Sequence, residues 1–315
     1  MEVFSRVAEL GSFVRAAESL RLPRATVTAA VQSLEAQLGL RLLHRTTRRV
    51  ALTADGAVFH AEIQRILVDL REVEARVRGV ARAPGGRVRV DVPAAVGRHV
   101  LAPSLPAFLE RFPDITIELG TTDRPVDLLG EGVDCVVRGG DVHDTSLRAR
   151  RLGALPVVTC AAPSYLAARG APASVADAEG HLFVGFFSPK TGRVFEVDFK
   201  GPGGVRAFEP RHRVAANDAD TWIAMAVAGL GLVQAPCARQ VRAHLLAGRL
   251  VRVLPESEVE ALPLHVLWPE ARPLPSRVRV FVDWVAELYE AECREAAAFL
   301  LSQPPGDIAP PMSAR

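Results

Sequence analysis

The side chains of residues 22–39, which read LPRATVTAAVQSLEAQLG, have types and spacing that suit contact with DNA bases. Threonine and glutamine hydrogen-bond to base edges in the major groove, and alanine methyl groups lie against thymine methyls. One face of the segment is small and nearly uncharged, where a solvated helix normally carries glutamate and lysine. That face carries Ala25, Thr28, Ala29, Gln32 and Ala36. The segment therefore predicts a helix that reads bases, with Thr26, Thr28 and Gln32 as candidate contacts.

Arginines around this segment suit contacts with phosphate groups, which position a protein on DNA without reading sequence. Residues 39–53, GLRLLHRTTRRVALT, place a polar tip between apolar flanks, and this pattern predicts a two-stranded wing. Residues 1–52 hold eight arginines and four glutamates, net +4; the whole chain is +2, so the remainder is −2. An anionic partner is expected for the first module alone. The candidate phosphate contacts are Arg24, Arg45, Thr46, Arg48 and Arg49. A small solvated helix bundle with an arginine-rich loop remains the alternative.

Catalytic motifs are missing from the sequence. It contains no G-x-S-x-G, H-E-x-x-H, Walker A or G-x-G-x-x-G. KTG at 190–192 matches one box of the serine β-lactamases, but their S-x-x-K is absent, so KTG predicts a hairpin turn. The eight histidines lack ligand spacing, and the four cysteines form no C-x-x-C pair, which favours reduced structural thiols. We expect no enzyme activity, no metal and no cofactor.

The elements that must position the reading helix are short helices and turns. Residues 1–10 and 13–20 predict two helices before it, and helix, turn, helix is a DNA-binding arrangement. Residues 53–80 then carry an apolar heptad seam, which calls for a partner helix and predicts a homodimer. The alternative is a long helix packed on its own domain. The seam, and hence the candidate dimer contact, comprises Phe59, Ile63, Ile66, Leu70, Val73 and Val77, with Val80 at its end.

A different architecture follows the hinge ARAPGGR at 81–87. Strands and helices alternate from residue 88, including a short helix expected at 126–132, and this order predicts parallel sheets. We expect an α/β domain of two lobes crossed by two strands, with a cleft between them. The predicted division is 1–52 for the winged helix-turn-helix, 53–80 for the linker helix, 88–158 plus 268–299 for lobe I, 159–267 for lobe II, and 300–315 for a disordered tail.

A small ligand is expected where strands end and helices begin, because free N–H groups at helix N-termini favour anions. The ligand should therefore be a small molecule with an anionic group. Arg138 beside two glycines could bind its carboxylate or phosphate, or could pair with Asp141 or Asp144 and only brace the loop; the sequence leaves both open. The candidate effector residues are Ala94, Ala95, Thr121, Arg138, Gly139, Phe186 and Asn217.

The sequence resembles the LysR-type transcriptional regulators over residues 1–292. The stretch GSFVRAAESLRLPRATVTAAVQSLEAQLGLRLLHRTTRRVALTADG resembles their DNA-binding module, and LAPSLPAFLERFPDITIEL, DRPVDLLGEGVDCVVRGG and NDADTWIAMAVAGLGLV resemble their effector domain. The resemblance implies an all-α winged helix-turn-helix with a long dimerising helix, and an α/β effector domain like periplasmic binding proteins. It also implies dimers or tetramers that bind double-stranded DNA and a metabolite, with RNA polymerase as a further partner.

The sequence departs from this family at three places. Family members usually start several residues before Met1, often carry a basic residue at the position of Ala29, and often offer Ser or Thr where Ala94 and Ala95 stand.

Two rival functions share the two-lobed domain. A solute-binding receptor would carry a signal sequence and no basic helix-turn-helix, and an enzyme would need a reactive set in the cleft. The chain has no run of 18 apolar residues and no secretory pattern at its start, so a cytoplasmic protein without a membrane span is expected.

Overall fold

The computed structural model describes residues 1–45, 50–77, 83–124, 126–128, 130–142, 144–201, 203–270 and 274–302. The chain divides into two compact units, Met1–Gly86 and Arg87–Arg315. Each has its own hydrophobic cores and is described by itself. None of the described helices combines the length and apolarity that a membrane span requires.

The first unit is a three-helix bundle followed by a wing and a long helix. Strands β1 and β2 pair antiparallel, with His44 opposite Ala51. The winged helix-turn-helix and its long following helix are therefore confirmed, while residues 78–80 of the expected linker lie outside the described residues. The elements are α1 (Glu2–Leu10), α2 (Phe13–Leu20), α3 (Arg24–Leu38), β1 (Leu43–Arg45), β2 (Val50–Leu52) and α4 (Ala54–Val77).

The start of α4 is held directly against the wing. Gly56 is buried, and a Cβ at this position would lie 1.9 Å from the carbonyl oxygen of Leu42, so only glycine permits the approach. The Thr53 hydroxyl accepts a hydrogen bond from the Gly56 amide at 2.9 Å. One turn further on, the Phe59 ring lies 5.6 Å from the ring of Phe4 in the bundle core. The first turns of α4 therefore belong to the bundle.

The second unit alternates strands and helices, as the sequence predicts. In chain order it comprises β3 (Gly86–Val92), α5 (Ala94–Val96), a π-helical turn (Gly97–Leu101), α6 (Ala102–Arg111), β4 (Ile115–Thr121), β5 (Cys135–Gly139), β6 (Leu147–Leu155), β7 (Val157–Ala161), α7 (Pro163–Arg169), α8 (Val175–Ala178), β8 (Phe183–Phe186), β9 (Val197–Gly201), β10 (Gly204–Phe208), β11 (His212–Ala216), α9 (Ala219–Val227), β12 (Val233–Pro236), α10 (Arg239–Leu246), β13 (Val251–Val253), β14 (Leu262–Pro269) and α11 (Ser276–Ser302).

One five-stranded sheet forms lobe I, and smaller sheets form lobe II. The sheet of lobe I has the order β4-β3-β5-β14-β6, in which β3 is parallel to β5 and β14 is antiparallel to both neighbours. In lobe II, β7 lies between antiparallel β12 and β13, and β11 is parallel to β8. A parallel bridge between Phe183 and Leu232 joins these two parts of lobe II. The two-lobed α/β architecture is therefore confirmed.

The chain crosses between the sheets at points that differ from the expected boundaries. The chain leaves lobe I at Pro156, two residues before the expected boundary at 158/159. The reason is that β7 already pairs with strands of lobe II. The chain returns at Leu262 and not at 267/268, because the whole of β14 pairs with β5 and β6 and buries Leu264 and Val266 in the lobe I core. The lobe boundaries expected from the sequence therefore require these corrections.

Other expected elements also need correction. No helix forms among the described residues of 126–132, where the Asp127 carboxylate accepts from the Gly130 amide at 3.0 Å within a turn. Strand β6 was not expected, since its sequence LRARRLGAL lacks an alternating apolar pattern. The helix α11 continues through Leu301 and Ser302, inside the expected tail, and residues 303–315 of that tail lie outside the described residues.

One buried carboxylate connects the reading helix to the wing. Glu35 on α3 is 5% exposed, and its Oε1 accepts from the amides of Leu42 at 2.9 Å and Leu43 at 3.2 Å. Arg41 lies 3.7 Å from the other oxygen. A hydrogen bond to a charged group contributes about 1.5–3 kcal/mol, and an unpaired buried amide is costly.

Removing this acceptor should therefore loosen the wing. We expect Glu35→Ala to lower the free energy of unfolding by about 2–4 kcal/mol, whereas Glu35→Gln, which keeps one carbonyl oxygen, should lose less than half as much. Denaturant unfolding followed by circular dichroism measures both. Equal losses in the two variants would contradict the assignment, because they would show that the carboxamide oxygen does not replace the carboxylate acceptor.

Candidate functional site

The reading helix α3 is oriented by the residues that it buries. Its stripe of Val27, Val31 and Leu34 packs into the core of the first unit, so the opposite face is exposed. The helix follows Pro23 and ends at Gly39, whose φ of 67° is the left-handed geometry of a helix C-cap. This placement gives an exposed surface of alanine methyls with polar groups beside them.

The predicted base contacts lie on this surface. Thr26 and Gln32 are exposed, as is Arg24 at the first turn. Thr28 is half-buried, and its hydroxyl donates to the Arg24 carbonyl at 3.0 Å, so only its acceptor lone pairs face outward. Arg45 ends strand β1 at the base of the wing tip. The other predicted phosphate contacts, Thr46, Arg48 and Arg49, lie outside the described residues.

The predicted dimer seam divides into two parts. Phe59 packs against the core of the first unit and Ile63 is buried, so these two residues are explained by packing within one chain, which corrects their place in the seam. Ile66 and Leu70 are 54% and 51% exposed. The side chains of Val73 and Val77 lie outside what the structure describes. Among the described seam residues, Ile66 and Leu70 thus remain available to a partner.

The second unit contains a cavity of about 740 Å³ between its lobes. This volume lies in the range of small-molecule sites. Lobe I contributes the first residues of the α5 region and the end of β5, lobe II contributes β8 and the first turn of α9, and α11 adds part of the wall. Residues that define these walls include Ala95, Gly139, Phe186, Trp222, Leu264 and Tyr289.

Four of the seven predicted effector residues line this cavity. They are Ala95, Arg138, Gly139 and Phe186. The other three lie beside it. Thr121 is exposed, and its methyl carbon would meet a Cβ at Gly97, so it packs on the π-helical turn. Ala94 acts through its backbone amide, which hydrogen-bonds to Asp123, and Asn217 precedes the helix cap of α9.

Arg138 forms an ion pair, but not with the acids expected from the sequence. Its Nη2 lies 2.5 Å from the carboxylate of Asp91, which is buried on β3. The same guanidinium donates to the carbonyl oxygens of Asp91, Val137 and Arg124 at 3.3, 2.8 and 3.3 Å. The expected partners Asp141 and Asp144 are therefore wrong. Arg138 neutralises a buried carboxylate, and this weakens its predicted role as an anion receptor.

The charge of the cavity lining is acidic. Five acidic residues and one basic residue line it, and the basic one is Arg138. The acidic residues are Asp123, Asp141, Asp144, Glu196 and Glu292. The pKa of Asp123 is raised, first by burial and then by the nearby carboxylate of Asp218, whereas the Ala94 amide and Arg138 oppose the shift. The lining therefore does not favour the anionic ligand expected from the sequence.

Aromatic and aliphatic groups form the rest of the wall. The rings of Phe186 and Trp222 lie 4.9 Å apart, and Phe195 stacks on Phe186 at 6.2 Å. Trp222 is fixed in place because its Nε1 donates to the Val184 carbonyl at 2.7 Å. Among the described lining residues there is no histidine, cysteine or lysine.

Ion pairs connect the lobes on two sides of the cavity. Asp220 at the start of α9 pairs with Arg98 and with His99, at 2.7 Å for the latter, on the π-helical turn. Glu292 on α11 is fully buried and pairs with Arg239 at 2.7 Å and Arg242 at 3.0 Å on α10. Sequence patterns indicate none of these pairs, because the partners lie at least 50 positions apart in the chain.

The hydroxyl of Tyr289 is a buried polar atom of the wall that lacks a hydrogen-bond partner among the described residues. Tyr289 lines the cavity and is 1% exposed, and its hydroxyl has no hydrogen-bond partner among the described residues. Burial and the neighbouring carboxylate of Glu292 raise its pKa, so it stays protonated. An unsatisfied buried hydroxyl costs roughly 1–3 kcal/mol.

Comparisons with known proteins agree with this geometry. The family model for bacterial regulatory helix-turn-helix proteins of the lysR family matches residues 1–57, and the LysR substrate binding domain model matches residues 81–290. The uncharacterized HTH-type transcriptional regulator YhjC of Escherichia coli is 39% identical over 91% of this chain and 95% of its own. A transcriptional repressor of Pseudomonas aeruginosa is 38% identical over 92% and 91%. The solved structure of CrgA, a LysR-type regulator from Neisseria meningitidis, matches with a TM-score of 0.59 and 31% identity, over 91% of this chain and 97% of that one.

The two tyrosines of the chain offer a matched test of the unsatisfied hydroxyl. Tyr165 is also buried, but its hydroxyl accepts from the Leu182 amide at 2.9 Å. We expect Tyr165→Phe to lower the free energy of unfolding by about 1–3 kcal/mol, and Tyr289→Phe to leave it unchanged or raise it by up to about 1 kcal/mol. Denaturant titration of both variants measures the difference. A loss in Tyr289→Phe as large as that in Tyr165→Phe would show that its hydroxyl is satisfied.

Proposed function

Because this chain belongs to the LysR family of transcriptional regulators, we propose that it binds a two-fold symmetric DNA site as a dimer or tetramer and that a small molecule between its lobes changes this binding. The chain is a DNA-binding transcriptional regulator with a helix-turn-helix and an effector-binding domain, and it is not an enzyme. The observation that carries the proposal is the exposed, small and uncharged face of α3.

Recognition of DNA would divide between α3 and the wing. The exposed amide of Gln32 suits bidentate hydrogen bonding to an adenine edge, and the alanine methyls beside it suit thymine methyls. Thr26 and Thr28 add hydroxyl groups at the edge of the same surface. Arg24 and Arg45, with Thr46, Arg48 and Arg49, would contact phosphates and fix the depth of the helix in the groove. A DNA-binding regulator must reach the chromosome, so we propose a cytoplasmic location.

Assembly would use the second half of the α4 seam. The exposed Ile66 and Leu70 support pairing of two α4 helices, because large aliphatic side chains gain from removal from water at about 25 cal/mol per Å². Val73 and Val77 extend the same heptad pattern. Two reading helices held by one dimer would then meet half-sites related by a dyad.

Regulation would use closure of the lobes on a ligand. The chain crosses between lobes at two neighbouring connections, and the ion pairs of Asp220 and Glu292 join the lobes beyond them. A ligand that contacts both walls binds a closed arrangement more tightly, and it shifts the population only by that difference in affinity.

Contact with RNA polymerase would follow from binding beside a promoter. The relatives include a repressor and an activator, so either direction of control is compatible with the family.

Two glutamines on α3 allow a sharp test of base reading. Gln32 lies on the predicted contact face and Gln37 lies exposed at the far end of the same helix. With DNA sites selected from a random pool by the full-length protein, Gln32→Ala should relax preference at one base pair of each half-site, at a cost of about 1–3 kcal/mol. Gln37→Ala should leave the selected motif unchanged. Competition binding with single-base variants of the site measures both.

The outcome that would contradict this assignment is an unchanged motif in Gln32→Ala or a relaxed motif in Gln37→Ala. Failure of the native chain to select any sequence would instead contradict the proposed function itself.

The dimer contact is tested by a charge in the exposed part of the seam. Leu70→Asp should convert the dimer to monomer in analytical ultracentrifugation, because a carboxylate buried in the seam costs several kcal/mol. Val58→Asp serves as the control, because Val58 is also exposed on α4 but lies outside the seam. A Leu70→Asp protein that stays fully dimeric at micromolar concentration would move the contact to another surface.

A further inference from the structure

The acidic lining of the cavity indicates which kind of ligand it accepts. Its one arginine is engaged with Asp91 and three carbonyl oxygens, so it offers little charge to a ligand. The carboxylates of Asp141, Asp144 and Glu196 are exposed at the wall, where they repel an approaching anion. Glu292 is already neutralised by Arg239 and Arg242. The remaining acid is Asp123.

Asp123 is a carboxylate of this lining that feels the charge of Arg138, which lowers its pKa, but forms no ion pair with it. It is half-buried, and no lysine, arginine or histidine of the described residues forms an ion pair with it. Its polar contact is the backbone amide of Ala94, and the nearby carboxylates of Asp218 and Asp91 raise its pKa in addition to burial. Asp218 is satisfied as the cap of α9, because it accepts from the Thr221 amide at 2.8 Å. A hydrogen-bond donor with positive charge would relieve this repulsion.

A second polar group of the wall also lacks a partner. The Tyr289 hydroxyl is buried, protonated and unbonded among the described residues, and Tyr289 lines the same cavity. A hydroxyl of this kind donates to an acceptor oxygen. Aromatic rings, including Phe186 and Trp222, line the same cavity. An aromatic wall favours a planar apolar body, and it also tolerates a cation near its ring faces.

We propose that the cavity takes an apolar, ring-bearing molecule whose polar end is a protonated amine paired with Asp123, and whose body carries an acceptor atom for the Tyr289 hydroxyl. The inference rests on the proposed function, because it names the ligand class of the same effector cavity. It differs from the sequence-based expectation of an anionic ligand.

The test compares head groups on one apolar body. Isothermal titration of the full-length protein uses 4-phenylbutylamine, 4-phenyl-1-butanol and 4-phenylbutyrate. The amine should bind at least tenfold more tightly than the butyrate, with the alcohol between them. Asp123→Asn should weaken amine binding about tenfold and change alcohol binding less than threefold. Asp114→Asn, which removes an exposed carboxylate outside the cavity, should change neither.

Two further variants locate the probe. Ala219→Trp places a large side chain at a half-exposed position of the cavity wall and should abolish amine binding. Adding a para-methoxy group to the amine probe supplies an ether oxygen, which should raise affinity in the native chain but not in Tyr289→Phe. The melting temperature of each variant is measured without ligand. Asp123→Asn should fold normally, because burial already disfavours the charge that it removes.

The inference is overturned if the butyrate binds as tightly as the amine, if no probe binds, or if Asp123→Asn leaves the ranking unchanged. A butyrate that binds best and is lost in Ala219→Trp would overturn the amine assignment while supporting the cavity as the effector site. The DNA selection does not involve these probes, so failure of the proposed function is detected separately.

Discussion

The double crossing of the chain between two sheets is the constraint on which the effector-binding unit depends. The connections at Pro156 and before Leu262 lie beside each other, because β6 and β14 are neighbours in lobe I while β7 and β13 are neighbours in lobe II. Lobes joined along one edge can enclose space only where their strands and helices face each other. The cavity, the ion pairs of Asp220 and Glu292, and the placement of α11 across both hydrophobic cores follow from this connection.

Buried charges have different binding partners in the two units. In the first unit, Glu35 accepts from two backbone amides, so its charge fixes a chain segment in addition to its pairing with Arg41. In the second unit, Glu292 and Asp91 are neutralised by arginines from other elements. A buried pair of this kind adds little net stability, since desolvation offsets the attraction, but separating it is costly. These pairs therefore restrict which arrangements of the elements are allowed.

The sequence predicted features that depend on local pattern and missed those that depend on distant partners. The stripe of α3 and its small outer face follow from helical periodicity, so both could be read directly. The partner of Arg138 could not, because Asp91 lies 47 positions away and meets it only when β3 and β5 pair. The heptad predicted a helix correctly as far as Val77, but periodicity alone cannot tell Phe59, which packs on its own bundle, from Leu70, which is exposed. Asp123 carries no recognisable motif, and only the assembled wall shows that Arg138 pairs with Asp91 and not with Asp123.

The contact of Gly56 with the Leu42 carbonyl makes the reading helix, the wing and the first turns of α4 a single rigid piece. The whole of α4 spans 24 residues, which at about 1.5 Å per residue is a lever of roughly 36 Å. A tilt of about 5° at its far end would displace the opposite end by about 3 Å, comparable to the rise of one base pair along DNA. A side chain at position 56 would collide with the Leu42 carbonyl and push α4 away from the wing, and a rotation of α4 would then move the reading helix less.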